Sequence, residues 1–182
     1  PVATKSNFVG TVVTTTTAKA RVTSQNALTT QRGWYLDLES PVNGFQGEMV
    51  PSNAFLRNKR VNFTTLIPDP DPCTYGGSSW LMNIDMFSGG RIDTSPFDLN
   101  GDGEFDNEDK VPPGGGPSAL GGNVAVSGLQ IGEGIVAQGI VVGDPTRDRD
   151  LIIAPGSFGN VNSSPAWPGP GVYGRQSWRQ LR

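Results

Sequence analysis

Residues 98–109 read Asp-Leu-Asn-Gly-Asp-Gly-Glu-Phe-Asp-Asn-Glu-Asp, with Pro96 just before them and Pro112-Pro113 just after. Carboxylates and one amide stand at positions 1, 3, 5, 9 and 12 of a twelve-residue frame with glycine at position 6, the spacing of a calcium loop. A hard cation needs several oxygens converging on one point, so a chain that binds one this way must wrap around it. Asp98, Asn100 and Asp102 offer side-chain oxygens from alternate positions, and Gly103 permits the turn that aims the backbone carbonyl of Glu104 inward. Asp106 contributes directly or through water, and Asp109 closes the shell. Asp109 departs from the EF-hand pattern, which has a longer, bidentate Glu at position 12. The flanks depart as well: Thr94-Ser95-Pro96 and Val111-Pro112-Pro113-Gly114 leave room for little more than one helical turn. The loop is therefore expected in irregular or β structure, not between paired sensor helices. The competing reading is a solvated acidic turn, since Asn-Gly and Asp-Gly are common turn formers.

The rest of the composition agrees with a β protein. The chain has 25 glycines and 15 prolines among 182 residues and a threonine-rich first third, a mix that favours strands and turns over helices. Net charge is −3, yet six of the 17 acids lie in the loop, and the 11 left face 14 bases, so the acidity is local. No basic run argues for nucleic acid. Histidine is absent, which disfavours a catalytic triad or a zinc hydrolase. Cys73 is the sole cysteine, either free and buried or paired with a residue beyond these 182. No apolar run reaches the roughly 20 residues that span a bilayer, and Pro1-Val2-Ala3-Thr4 does not read as a signal peptide.

Along the chain, residues 8–22 read as one or two β-branched strands and residues 32–38 as an aromatic and aliphatic strand, followed by a turn region with Pro41, Asn43, Gly44 and Gly47. Strands at 52–56 and 60–67, linked by Asn58-Lys59, suggest a tight hairpin. Residues 68–77 form a surface loop by composition, and 79–86 return to an apolar strand. This last strand echoes 33–38, and such weak repetition suggests blade-like architecture, although a β-sandwich would give a similar strand count. Residues 112–123 read as a glycine- and proline-rich connection, with strands resuming at 124–126, 134–142 and 151–154 around a charged turn at 145–150. Residues 163–174 read as loop, with Trp178 anchoring a last short strand.

Several of these segments, in this order, resemble the PilY1/PilC family of type IV pilus tip-associated proteins. They are Gly33-Trp34-Tyr35-Leu36-Asp37-Leu38, Phe63-Thr64-Thr65-Leu66-Ile67-Pro68 with Asp71-Pro72-Cys73, Gly77-Ser78-Ser79-Trp80-Leu81-Met82 with Gly89-Gly90-Arg91, and Pro96-Phe97-Asp98-Leu99-Asn100-Gly101-Asp102-Gly103. Val126-Ser127-Gly128-Leu129-Gln130 and the terminal Gly174-Arg175-Gln176-Ser177-Trp178-Arg179-Gln180-Leu181 extend the likeness, which covers residues 33–182 with gaps. The resemblance implies an all-β fold: the last blades of a modified β-propeller with an inserted EF-hand-like calcium loop. Residues 1–182 would then be the C-terminal portion of a longer domain. It further implies a pilus-associated protein at the cell surface, outer membrane or extracellular space of a Gram-negative-type bacterium. Its roles there would be pilus biogenesis, opposition to retraction, twitching and adhesion, with calcium (Ca2+) as a control. The implied partners are pilins or minor pilins at the pilus tip and a host surface. Because that propeller is longer than this chain, its remaining part, or another chain, is expected to cover the blade edges.

Two other functions compete with a binding and assembly role. Residues 80–90 resemble strands of quinoprotein propellers, but bring no cofactor contacts with them. Asp37 and Asp85 could be drawn as a carboxylate pair, yet both read better as strand-end residues, and no nucleophile and base pair is visible. An extracellular calcium-stabilised module unrelated to pili would resemble a dockerin, which carries two such loops where this chain has one.

Overall fold

The computed structural model describes residues 4–6, 8–13, 19–27, 30–40, 43–71, 73, 76–113, 122–131, 134–144 and 146–169. Among these there are eleven strands and no helix: β1 (Thr4–Ser6), β2 (Phe8–Val13), β3 (Lys19–Thr23), β4 (Trp34–Leu36), β5 (Phe55–Arg57), β6 (Arg60–Pro68), β7 (Gly77–Asp85), β8 (Gly128–Gln130), β9 (Ile140–Asp144), β10 (Arg149–Pro155) and β11 (Val161–Ala166). The all-β expectation is met. A six-stranded sheet runs in the order β2-β3-β8-β7-β6-β5, a three-stranded sheet in the order β11-β10-β9, and β1 pairs with β4 in parallel. Neither antiparallel sheet is a regular four-stranded blade.

The long strands lie where the apolar runs placed them. β6 and β7 pair over nine residues, from Arg60↔Asp85 to Pro68↔Gly77. Asn58 and Lys59 form the two-residue β5–β6 turn, with φ of 47° and 64°. Positive φ at both central residues is the primed turn whose twist suits a hairpin, and asparagine tolerates it better than lysine does. Lys59→Gly is accordingly expected to raise stability by a few tenths to about 1 kcal/mol, the relief of left-handed strain being partly offset by glycine's entropy. A thermal melt checks this, and a lower midpoint would contradict it.

Alternation along β7 sorts the core into two clusters. Leu81 points to one face with Ala20, Val22 and Leu129, where the six-stranded sheet meets Phe97, Leu99, Val111, Val126, Ile152, Ala154 and Ala166. Trp80, Met82 and Ile84 point to the other with Phe63, and Trp34, Leu36 and Leu38 pack over them. The aromatic echo between 33–38 and 79–86 is thus not two equivalent blade strands: one segment covers the other. Trp34 donates from Nε1 to the Met86 carbonyl at 2.9 Å, and its ring lies where a side chain on Gly89 would stand.

Charge enters this second face only in compensated form. Arg21 lies 3.9 Å from the centroid of the Trp80 ring and bonds Glu48 at 2.5 Å, both side chains being almost fully buried. Glu48 also accepts from the Thr65 hydroxyl. The sheets are tied by Arg57 of β5, which donates twice to Asp150 of β10 at 2.9 and 2.7 Å. Nearby Arg60 lies 5.2 Å from the Trp167 ring. Burial is the largest influence on its guanidinium and pulls it down to about 10, against the opposing charge of Asp150.

Several expectations shift. The strand near 52–56 begins at Phe55, and β8 and β9 begin at Gly128 and Ile140 instead of at 124 and 134. Val124 instead forms an isolated bridge, exchanging both backbone bonds with Val111 at 2.9 and 3.0 Å. Residues 163–166, read as loop, belong to β11, an edge strand paired with β10. Cys73 is exposed, which removes the buried alternative. Asp85 ends β7 by accepting from the Ser88 hydroxyl at 2.8 Å and the Phe87 amide at 3.2 Å, a turn role as expected. Residues 114–121 of the glycine- and proline-rich connection, and the terminal segment with Trp178, lie outside the described residues.

Candidate metal centre

The twelve-residue loop is clamped at both ends by β-bridges. Phe97 pairs with Ala166, and the Trp167 amide donates to the Pro96 carbonyl at 3.0 Å, while Val111 pairs with Val124. Phe97, Leu99 and Val111 are buried in the main core. These three apolar side chains, spaced around the acids, are why the segment lies down on the sheet while its polar residues other than Asp109 stay half-buried or exposed. The flanks are irregular chain with one β-bridge each, in keeping with the prolines, which disfavour helix.

Within the loop, the acids satisfy backbone amides. Asp98 accepts from the Gly101 amide at 2.6 Å through one oxygen and from the Gly103 amide at 2.9 Å through the other. Both glycines have positive φ, 84° and 89°, which bends the chain around the Asp98 carboxylate. Asn100 Oδ1 accepts from the Asp102 amide at 3.0 Å, Asp102 Oδ1 from the Glu104 amide at 2.8 Å, and Asp106 Oδ1 from the Glu108 amide at 2.7 Å. The Asn100 amide nitrogen bridges Asp102 at 2.8 Å and Glu108 at 3.4 Å. Glu108 stands at position 11, which matches no template ligand, so only the folded loop brings it to Asn100.

Asp109, which stands where the EF-hand pattern has a longer Glu, is fully buried. Its Oδ1 accepts from the Leu99 amide at 2.6 Å and the Asn100 amide at 3.4 Å, and its Oδ2 from the Asp106 amide at 3.2 Å. The last residue of the loop therefore fastens its first turn. Burial, the largest influence, pushes the Asp109 carboxyl above the usual range; the amide bonds oppose this and the Asp98 charge adds to it.

The six residues do not converge: among the described residues no three His, Cys, Asp or Glu side chains are placed to hold one ion. Their chemistry nevertheless fits a hard cation, since every side-chain donor offers oxygen. Each carboxylate oxygen engaged by one amide keeps a second lone pair for a metal.

No protein-family model matches the chain. Over 171 residues it is 33% identical to the type IV pilus biogenesis factor PilY1 of Pseudomonas aeruginosa, covering 88% of this chain and 13% of that protein. A PilY1 homolog of Xylella fastidiosa is 44% identical over 101 residues, which is 54% of this chain and 7% of that protein. The chain thus spans only a small part of these relatives. The crystal structure of the Pseudomonas aeruginosa PilY1 C-terminal domain matches with a TM-score of 0.68 at 22% identity, covering 92% of this chain and 32% of that one. From its all-β fold and this identity over most of its length, the chain belongs to the PilY1 family and corresponds to part of that family's C-terminal domain.

Proposed function

We propose that the chain is a calcium-binding part of a type IV pilus biogenesis factor at the cell surface. It would act in assembly and attachment, not in catalysis. The observation that carries the reading is the loop at 98–109, with every oxygen-bearing position of a calcium template filled and with Leu99 and the flanking Phe97 and Val111 set into the core. In this reading Asp98, Asn100, Asp102 and Asp106 with the Glu104 carbonyl hold the ion, and Asp109 closes the shell from its buried position. A bound cation supplies the positive charge that the crowded carboxylates lack. Because it binds only the folded loop, it stabilises the fold by roughly 2.7 kcal/mol at a hundredfold excess over Kd.

The pilus role is supported by the names of the relatives, each a type IV pilus biogenesis factor or its homolog. The two sheets would be blades of a modified β-propeller, with pilins or minor pilins as partners, and twitching and host-surface adhesion as the outputs. A strain whose full-length protein carries Asp98→Ala with Asp102→Ala is expected to show altered surface piliation or twitching at wild-type protein levels. Unchanged piliation and twitching would separate the loop from the pilus role.

A further inference from the structure

Where β5 and β6 meet β10, two guanidiniums share one carboxylate. Arg57 donates to both oxygens of Asp150, at 2.9 and 2.7 Å. Arg60, 3% exposed, has Nε and Nη1 buried with no acceptor among the described residues. Buried donors without partners are rare in native structures, and each needs a cause. Arg57, Arg60 and Asp150 line one enclosed space that has no room for a water molecule. An acceptor for Arg60 must therefore come from a residue already lining that space, and Asp150 is the one charged acceptor among the described residues there.

On its other side the Arg57–Asp150 pair faces an open cleft of about 160 Å³, with Asp144, Asp148 and Arg149 around its mouth. Gly143 of β9 stands across the strand pair from Asp150. A Cβ at Gly143 would lie 3.4 Å from Arg57 Nη2 and 3.5 Å from Asp150 Oδ1. Its φ is not in the left-handed region, so the backbone does not demand glycine at this place. Glycine inside a strand weakens it and often marks a site that a ligand approaches closely. The missing side chain leaves the pair open to the cleft, from which Arg57 is reached first: its side chain is 43% exposed and that of Asp150 is 3%.

We infer that this cleft binds a small hydroxylated monocarboxylate, the chemistry of a uronic acid, whose carboxylate takes the fork of Arg57 while Asp150 turns to the unused donors of Arg60. The exchange replaces one carboxylate between two guanidiniums by two matched pairs. Arg57 Nε and Nη2 already present the two-pronged geometry that holds a carboxylate. At the mouth, Asp144 and Asp148 accept from ligand hydroxyls and repel a second negative charge, so a monocarboxylate fits better than a phosphate. The cleft is smaller than the roughly 300–1,000 Å³ of drug-sized sites, which limits the ligand to about one sugar ring. The calcium loop takes no part in this site.

The test is calorimetric titration of the full-length protein with glucuronate. Saturable binding with a Kd of about 1 mM or lower is expected. Glucose, which lacks the carboxylate, acetate, which lacks the hydroxyls, and inorganic phosphate should each bind at least about tenfold more weakly. Arg57→Ala should weaken glucuronate by at least about tenfold. If that variant does not fold, Gly143→Val serves: valine suits a strand and fills the cleft, so binding should be lost while the thermal midpoint does not fall. Asp150→Asn, which loosens the hold on the Arg57 fork, should tighten glucuronate by about threefold or more. No saturable heat with glucuronate, unchanged binding in Gly143→Val, or equal affinity for glucose, acetate or phosphate would overturn the inference. Binding that does not tighten in Asp150→Asn would overturn the exchange.

Discussion

Phe97→Ala is expected to lower the stability of the protein by about 3–5 kcal/mol, the range for emptying a fully buried aromatic site. Phe97 is 0% exposed and sits between the two sheets one residue before Asp98, so the loss reaches beyond the cavity. Its backbone bridges Ala166, and the relaxing core would release the first turn of the loop. Urea unfolding followed by tryptophan fluorescence measures the first effect. Weakened calcium binding with all six proposed ligand residues intact would measure the second. Phe87, 57% exposed, supplies the contrast: Phe87→Ala should change stability by no more than about 0.5 kcal/mol. Equal losses at both positions would contradict the placement of Phe97.

Asp109→Ala is the other large effect. It removes the acceptor for the amides of Leu99, Asn100 and Asp106 together. A buried donor left without a partner costs about 1–3 kcal/mol, and because the bonds at 3.4 and 3.2 Å are weaker than that at 2.6 Å, the sum should be about 3 kcal/mol. Asp109→Asn keeps one acceptor oxygen and should lose about half as much. Denaturant melts of the two variants in calcium-free buffer check the order. Two losses both below about 0.5 kcal/mol would mean that Asp109 does not fasten the loop.

The parts of the fold that were legible in the sequence are those with strong local chemistry. The Asn58-Lys59 hairpin, the long apolar strands β6 and β7 and the return to the core in Leu151-Ile152-Ile153-Ala154, through Ile152 and Ala154, all follow from period and turn residues. β11 was not legible, because Ser163-Ser164-Pro165 has the composition of a loop. Proline, which has no amide hydrogen to donate, is admitted here because β11 is an edge strand. Val124-Ala125-Val126 misled in the opposite direction: its propensity is that of a strand, but long-range pairing to Val111 took its backbone. Leu151-Ile152-Ile153-Ala154 was present in the letters as an unbroken apolar run, and only the structure showed that Ile152 and Ala154 enter the core while Leu151 and Ile153 stand on the other face.

For the loop, the spacing of the acids was legible and the direction of each side chain was not. Asp109 occupies the template position of a closing ligand, but a short carboxylate beside a buried turn finds the nearest amides, those of Leu99 and Asp106. The apolar letters between the acids, Leu99 above all, carried the information that the loop is fastened to the core. They lie outside the ligand pattern, which specifies only oxygen donors and a glycine.

The central claim, that residues 98–109 form a calcium site, is tested most directly by calorimetric titration of the chelator-treated protein with calcium, alongside the Asp98→Ala, Asp102→Ala double variant. A saturable heat in the unmodified protein that disappears in the variant is the predicted result; equal heats in the two would contradict the site.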